Sequence, residues 1–180
     1  MSTHINFIPI NIAVVTISDT RVLDNDKSGD VLEQRVIKSN HKIISREIVK
    51  DDFDKISQLF LNLINNEQID VVISTGGTGL TGRDITPEVM KTLFEKTIDG
   101  FGEMFRWLSY SKIGTSALQS RALAGVSNGT YIFCLPGSPS ACCDGWDQIL
   151  IHQLDVRHKP CNFVEIMSRL QEHKLFRKKN

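Results

Sequence analysis

The sequence predicts an α/β fold of three layers, with helices on both faces of a mostly parallel sheet. Short apolar runs rich in Val and Ile alternate with amphipathic stretches of helical period, and turn residues mark the junctions. The length of 180 residues suits one compact domain, and 41% hydrophobic residues can fill its core. Basic (21) and acidic (21) side chains cancel, which removes any general attraction to nucleic acid or an acidic membrane. Function must therefore lie in local sites.

Ile10 to Ile17 is nearly continuous in Ile, Ala and Val and reads as a buried strand. A helix follows from Ser28–Gly29–Asp30 to about Ser39, with Ser28 as N-cap. Lys42 to Val49 alternates enough for a second strand. Phe53 to Asn66 is the clearest helix, because Ile56, Leu59, Phe60, Leu63 and Ile64 share one face. Asp70 to Thr75 is a third buried strand. After the glycine-rich stretch Gly76 to Pro87, a helix starts at Thr86–Pro87–Glu88, with Thr86 as cap and Val89, Met90, Leu93 and Phe94 on its buried side. Gly100–Ser111 and Ser116–Leu123 read as helical, Thr130–Leu135 as a strand, and about Ser140 to Ile151 as the closing helix. Lys174, Arg177, Lys178 and Lys179 read as a frayed, solvated terminus.

In a sheet of this kind ligands bind beyond the carboxyl ends of the strands, where loops starting at Ser18–Asp19, Gly76–Gly77 and Pro136–Gly137 should converge. The four cysteines lack C-x-x-C spacing and the five histidines are scattered, so no metal or redox motif shows. No apolar run approaches the length of a membrane span and nothing resembles a signal peptide, so a reducing cytoplasm is the expected compartment.

The stretch from Ser74 to Glu88 carries most of the information. Gly77, Gly79 and Gly82 satisfy G-x-G-x-x-G, but a dinucleotide fingerprint should follow the first strand and lead directly into its helix, and neither holds. A Walker loop is absent, since no G-K-[ST] ends the segment. The glycines can still let backbone N–H groups approach an anion, with Thr75, Thr78 and Thr81 adding hydroxyls. Asp84 reads equally as a magnesium ligand, since magnesium commonly binds one or two carboxylates plus substrate phosphates, or as a cap for the following helix. Arg83 could hold a phosphate or be solvated. Pro136–Gly137–Ser138–Pro139 is a rigid strand-to-helix turn in which Ser138 caps the helix, donates to a phosphate, or both.

Thr16–Ser18–Asp19, Thr75–Gly79, Asp84–Glu88, Gly100–Glu103, Ile113–Ala122, Leu135–Pro139 and Pro160–Phe163 occur in an order that resembles the MoaB/Mog family over about residues 7–165, leaving 166–180 as a basic tail. The Ile113–Ala122 segment is most similar to the MoaB branch. The resemblance implies a molybdopterin-binding domain, a homotrimer or homohexamer, and a role in molybdenum cofactor biosynthesis. It further implies adenylylation of the terminal phosphate of molybdopterin by Mg²⁺-ATP, with release of pyrophosphate. On that resemblance Asp84 and Asp51 are the functional acids and Mg²⁺ ligands, with Asp52 adjacent to Asp51. Gly76, Gly77, Thr78 and Gly79 form the nucleotide and phosphate loop. Ser18, Asp19, Pro136, Gly137 and Ser138 are further pocket positions. The alternatives are a non-catalytic molybdopterin-binding or scaffold protein of the same pathway, and an enzyme acting on another nucleotide. Aromatic residues in 100–111 (Phe101, Phe105, Trp107, Tyr110) suit either an interface or a core.

Overall fold

The computed structural model describes residues 5–177. Six strands, β1 (Asn11–Ile17), β2 (Lys42–Val49), β3 (Val71–Thr75), β4 (Lys96–Thr97), β5 (Leu123–Ser127) and β6 (Thr130–Leu135), form one sheet in the order β2-β1-β3-β6-β5-β4. The first four in that order are parallel, while β5 and β4 add an antiparallel edge. The α/β architecture with a mostly parallel sheet is therefore as the alternating pattern predicts.

The helices are α1 (Lys27–Lys38), α2 (Phe53–Ile64), α3 (Thr86–Leu93), α4 (Asp99–Ile113) and α5 (Pro139–Gly145). Helix α5 runs through a π-helical turn, Trp146–Leu150, into α6 (Ile151–Gln153). Alternate strand residues feed two cores, as the period of two requires. Ile12 and Val14 pack with Leu32, Phe101, Phe105 and Trp146 on one face of the sheet. Ala13 and Val15 pack with Ile56, Phe60, Val89 and Met90 on the other. Each fully buried Ile or Phe contributes about 1.5–3 kcal/mol, so these two apolar layers hold the helices against the sheet.

Two expected helix caps are corrected. Asp26, not Ser28, caps α1: its carboxylate accepts from Gly29 N, and the Ser28 hydroxyl instead donates to the Gly137 carbonyl at 2.8 Å. Thr86 does not cap α3 either. It is the first helical residue, and its hydroxyl donates to the Gly76 carbonyl at 3.0 Å. In each case a loop carbonyl is the acceptor, from a distant segment for Ser28 and from the start of its own loop for Thr86.

The expected helix Ser116–Leu123 is a 3₁₀ segment only over Gly114–Gln119, after which the chain enters β5. The missed signal is Asn128–Gly129, whose left-handed φ values of 48° and 85° make the tight turn joining β5 to β6. The terminus beyond Cys161 also departs from a frayed chain. It forms α7 (Phe163–Ile166), a 3₁₀ turn and α8 (Glu172–Arg177), and both Gln171 and Lys174 bond to Asn128 in the β5–β6 turn. Lys178 and Lys179 lie outside the described residues, as does the side chain of Arg177.

Candidate functional site

Parallel pairing places the carboxyl ends of β2, β1, β3 and β6 side by side, with Thr16 opposite Thr75 and Thr75 opposite Leu135. The chain passes from β1 to β2 on one side and then crosses back so that β3 pairs on the other side of β1, and a crevice opens at this switch point. A cavity of about 650 Å³ occupies it. Ser18, Gly76–Gly79 and Pro136–Ser138 all line it, so the three loops converge as predicted. Asp51, from the loop after β2, and Asp84 line it too.

Close packing explains two of the glycines. Gly76 has φ 105°, and a Cβ there would collide with the Ile17 carbonyl. Gly77 has φ 63°, and a Cβ would stand 2.8 Å from Asp51 Oδ1 and collide with the Thr86 hydroxyl. The loop thus lies directly against β1, Asp51 and the start of α3. No L side chain fits at either position.

The two acids are held in opposite ways. Asp84 Oδ2 accepts from the Thr81 amide at 2.8 Å and the Thr81 hydroxyl at 2.6 Å. Chiefly the hydroxyl bond, with backbone bonds and Arg121 adding to it, holds Asp84 below its ordinary carboxylate value. Asp84 therefore closes its own loop and does not cap α3, whose N-cap is Ile85. Asp51 Oδ1 is buried and without a hydrogen-bond partner. Burial, then the charges of Asp19 and Asp84, push Asp51 above its ordinary value, against the opposing charge of Arg83. Asp52, the adjacent acid, is exposed and caps α2 by accepting from Lys55 N at 3.0 Å. Of the two neighbours, Asp51 is the one in the cavity.

An orphaned, buried carboxylate oxygen beside a second carboxylate is a donor set suited to a hard cation. Among the described residues no group of three or more His, Cys, Asp and Glu is gathered to hold a metal ion. A divalent ion held by Asp51 and Asp84 would have to complete its shell with water or ligand phosphate, which is how magnesium is commonly bound.

Asp19 is the predicted site residue that the structure sets apart. It lies at the rim, where it pairs with Arg83, and it does not line the main cavity. Ser138 caps α5 by accepting from Ala141 N at 3.2 Å. The carbonyls of its turn are already engaged, Pro136 by the Thr75 hydroxyl and Gly137 by the Ser28 hydroxyl, both at 2.8 Å.

Several site residues escaped the sequence reading. The Arg121 guanidinium donates to the carbonyls of Gly79 and Asp84, each at 2.6 Å, and pairs with Glu88. Its own amide donates to the Thr78 carbonyl at 3.0 Å. Lys112 on α4 and Asp144 on α5 pair with each other and also line the cavity. These residues come from segments far apart in the chain. The legible signal was Arg121 itself, a lone cation within the Ile113–Ala122 segment.

The family model MoCF_biosynth, described as a probable molybdopterin binding domain, matches residues 13–156. The chain is 45% identical over 157 residues to molybdenum cofactor biosynthesis protein B of Escherichia coli (strain K12), covering 87% of this chain and 92% of that one. It is 47% identical over 142 residues to the protein of the same name from Staphylococcus epidermidis, covering 77% and 80%. Among solved structures, a molybdenum cofactor biosynthesis protein B superposes with a TM-score of 0.83 at 38% identity, covering 92% of this chain and 98% of that one. A MogA structure superposes with a TM-score of 0.72 at 26% identity, covering 80% and 97%.

Proposed function

Since this chain belongs to the MoCF_biosynth family of molybdopterin-binding domains, with a role in molybdenum cofactor biosynthesis, we propose that it adenylylates the terminal phosphate of molybdopterin with Mg²⁺-ATP, releasing pyrophosphate. The observation that carries this reading is the orphaned Asp51 oxygen packed beside the glycine loop, in the same cavity as Asp84.

The substrate phosphate is itself the nucleophile, so the site needs no activated Ser or Cys. It must bring two anionic groups into line and offset their repulsion. Gly76, Gly77, Thr78 and Gly79 would bind the nucleotide phosphates through backbone donors. Asp51 and Asp84 would hold Mg²⁺, which when bound supplies charge neutralisation at the reacting phosphates. Arg121 keeps the loop in register by occupying the Gly79 and Asp84 carbonyls. Ser18 and the Pro136–Ser138 turn, which packs against Gly76, form the adjoining wall, and Asp19 acts from the rim by holding Arg83.

The protein acts in this reading as a cytoplasmic homotrimer or homohexamer, with residues 7–165 as the working domain and 166–180 as its basic extension. No helix among the described residues is long and apolar enough to cross a membrane. Support for assembly comes from α4 and the segment after it. Phe101 and Phe105 are buried there, whereas Trp107 (73% exposed), Tyr110 and Leu118 leave apolar surface for a second copy to cover.

The test is turnover. Purified protein, fresh molybdopterin, ATP and Mg²⁺ should give adenylylated pterin by mass, and Asp84→Ala should give none while remaining folded. Pterin binding without product would favour the non-catalytic binding protein, a reading supported by the likeness of Ile113–Ala122 to the MoaB branch.

A further inference from the structure

The cavity also has a wall of different chemistry. Besides the three loops it is lined by Phe105, Ser109 and Lys112 of α4 and by Ser140, Ala141 and Asp144 of α5. Asp144 is only 9% exposed. Its Oδ1 accepts from the Lys112 ammonium and, at 3.4 Å, from Gln148 Nε2. Its Oδ2 takes no bond from a described residue and is not sealed off from open space. The Lys112 side chain is 53% exposed, so its ammonium can turn into water once another donor takes its place on the buried Asp144 carboxylate.

A buried carboxylate with a free oxygen in a ligand-sized cavity calls for N–H donors. It repels phosphate, so the part of a ligand placed here is neutral and rich in donors, while its anionic end lies at the glycine loop. This inference rests on the molybdopterin reading above. The pyrimidine edge of a pterin offers a ring N–H and an adjacent exocyclic amino group, a donor pair spaced for one carboxylate as a guanidinium is. Phe105 and Ile113, which also line the cavity, supply apolar surface for a flat ring.

We propose that Asp144 recognises the two-donor pyrimidine edge of the pterin head, with Lys112 as a counter-ion that the ligand displaces. Asp144 then sets which heterocycle enters, independently of the glycine loop.

The experiment uses 6-hydroxymethylpterin and 6-hydroxymethyllumazine as fluorescent probes, titrated into the whole protein, with ATP binding measured in parallel. A lumazine carries a carbonyl where the pterin has its amino group, so it presents one acceptor and one donor. Wild-type protein should prefer the pterin. Asp144→Asn should bind the pterin at least about tenfold more weakly, reverse the preference toward the lumazine, whose edge matches a carboxamide, and leave ATP affinity unchanged. Lys112→Met should bind the pterin as tightly as wild type or more tightly. A purely structural Lys112–Asp144 tie predicts instead equal losses in both variants for both probes, and that result overturns the proposal. So does an Asp144→Asn protein with the wild-type preference. Wild-type protein that binds neither pteridine overturns the molybdopterin reading itself, and this inference with it.

Discussion

Arg121 grips the glycine loop from outside: its Nε donates to the Gly79 carbonyl and its Nη2 to the Asp84 carbonyl, each at 2.6 Å. A charged donor shared between two loop carbonyls is worth more than a neutral hydrogen bond, about 1.5–3 kcal/mol. Arg121→Met should lower stability by roughly that amount and weaken ATP binding. Arg121→Lys should recover only part of both, because an ammonium cannot span two carbonyls as a fork does. Urea midpoints and nucleotide titrations measure the two effects separately.

Asp51 should trade stability for function. Its folded value is raised above the ordinary 3.8, mainly by burial. A raised carboxylate contributes stability that is present below its unfolded value and lost as pH rises through the folded one. Charged Asp51 therefore opposes folding at neutral pH. Asp51→Asn should melt higher than wild type at pH 7, with the advantage vanishing below pH 4, while AMP transfer falls by about 10²-fold or more. Melting curves across pH 3.5–8, paired with the turnover assay, check both halves. A variant less stable than wild type at pH 7 contradicts the first.

Asp84 carries the opposite sign. The Thr81 hydroxyl holds it below 3.8, so its contribution is present above that value and is lost as pH falls through the folded one. Asp84→Ala should cost about 1 kcal/mol at pH 7 through the two lost Thr81 bonds, and progressively less as acid titrates the wild-type carboxylate. Magnesium should raise the melting temperature of wild type in the presence of ATP, and do so far less in Asp84→Ala and Asp51→Asn.

Ser28 and Ser138 brace one turn from two sides. Ser28 donates to Gly137 O at 2.8 Å, and Ser138 caps α5 through Ala141 N at 3.2 Å. Ser28→Ala and Ser138→Ala should each cost about 1 kcal/mol, by loss of a partly buried hydrogen bond and of an N-cap respectively. Because both touch the same turn, the double variant should depart from additivity, which a double-mutant cycle on urea midpoints will show.

Trp107, on the exposed face of α4, should report assembly. Trp107→Glu places a charge on the uncovered apolar surface and should shift the protein toward monomer in light scattering, with little change in the monomer's fold. An unchanged mass places the interface elsewhere.

Much of the fold was legible because periodicity is a local property. Lys42–Val49 and Thr130–Leu135 match their strands to the residue, and the α2 face from Ile56 to Ile64 packs as its spacing requires. Strand β5 was not legible in that way. Leu123–Ser127 is five residues with a central glycine, too short and mixed to show a period, and only Asn128–Gly129 marked it. Gly125 is needed there because a Cβ would collide with the Phe94 ring, a contact between segments about thirty residues apart.

The amino-acid order alone determined the layered α/β class, the three loops that meet beyond the strand ends, and Asp84 as a candidate, since hydrophobic period, turn residues and motif spacing are all written locally along the chain; Asp51 was implied only by the resemblance to the family. Only the tertiary structure decided that Asp51 rather than Asp52 enters the cavity, that Ser28 and Thr86 brace loop carbonyls instead of capping helices, and that Arg121 and the Lys112–Asp144 pair belong to the site. The physical reason is that a polar side chain goes to whichever partner packing brings within about 3 Å, and for Ser28, Arg121 and Lys112 that partner lies in a distant part of the chain.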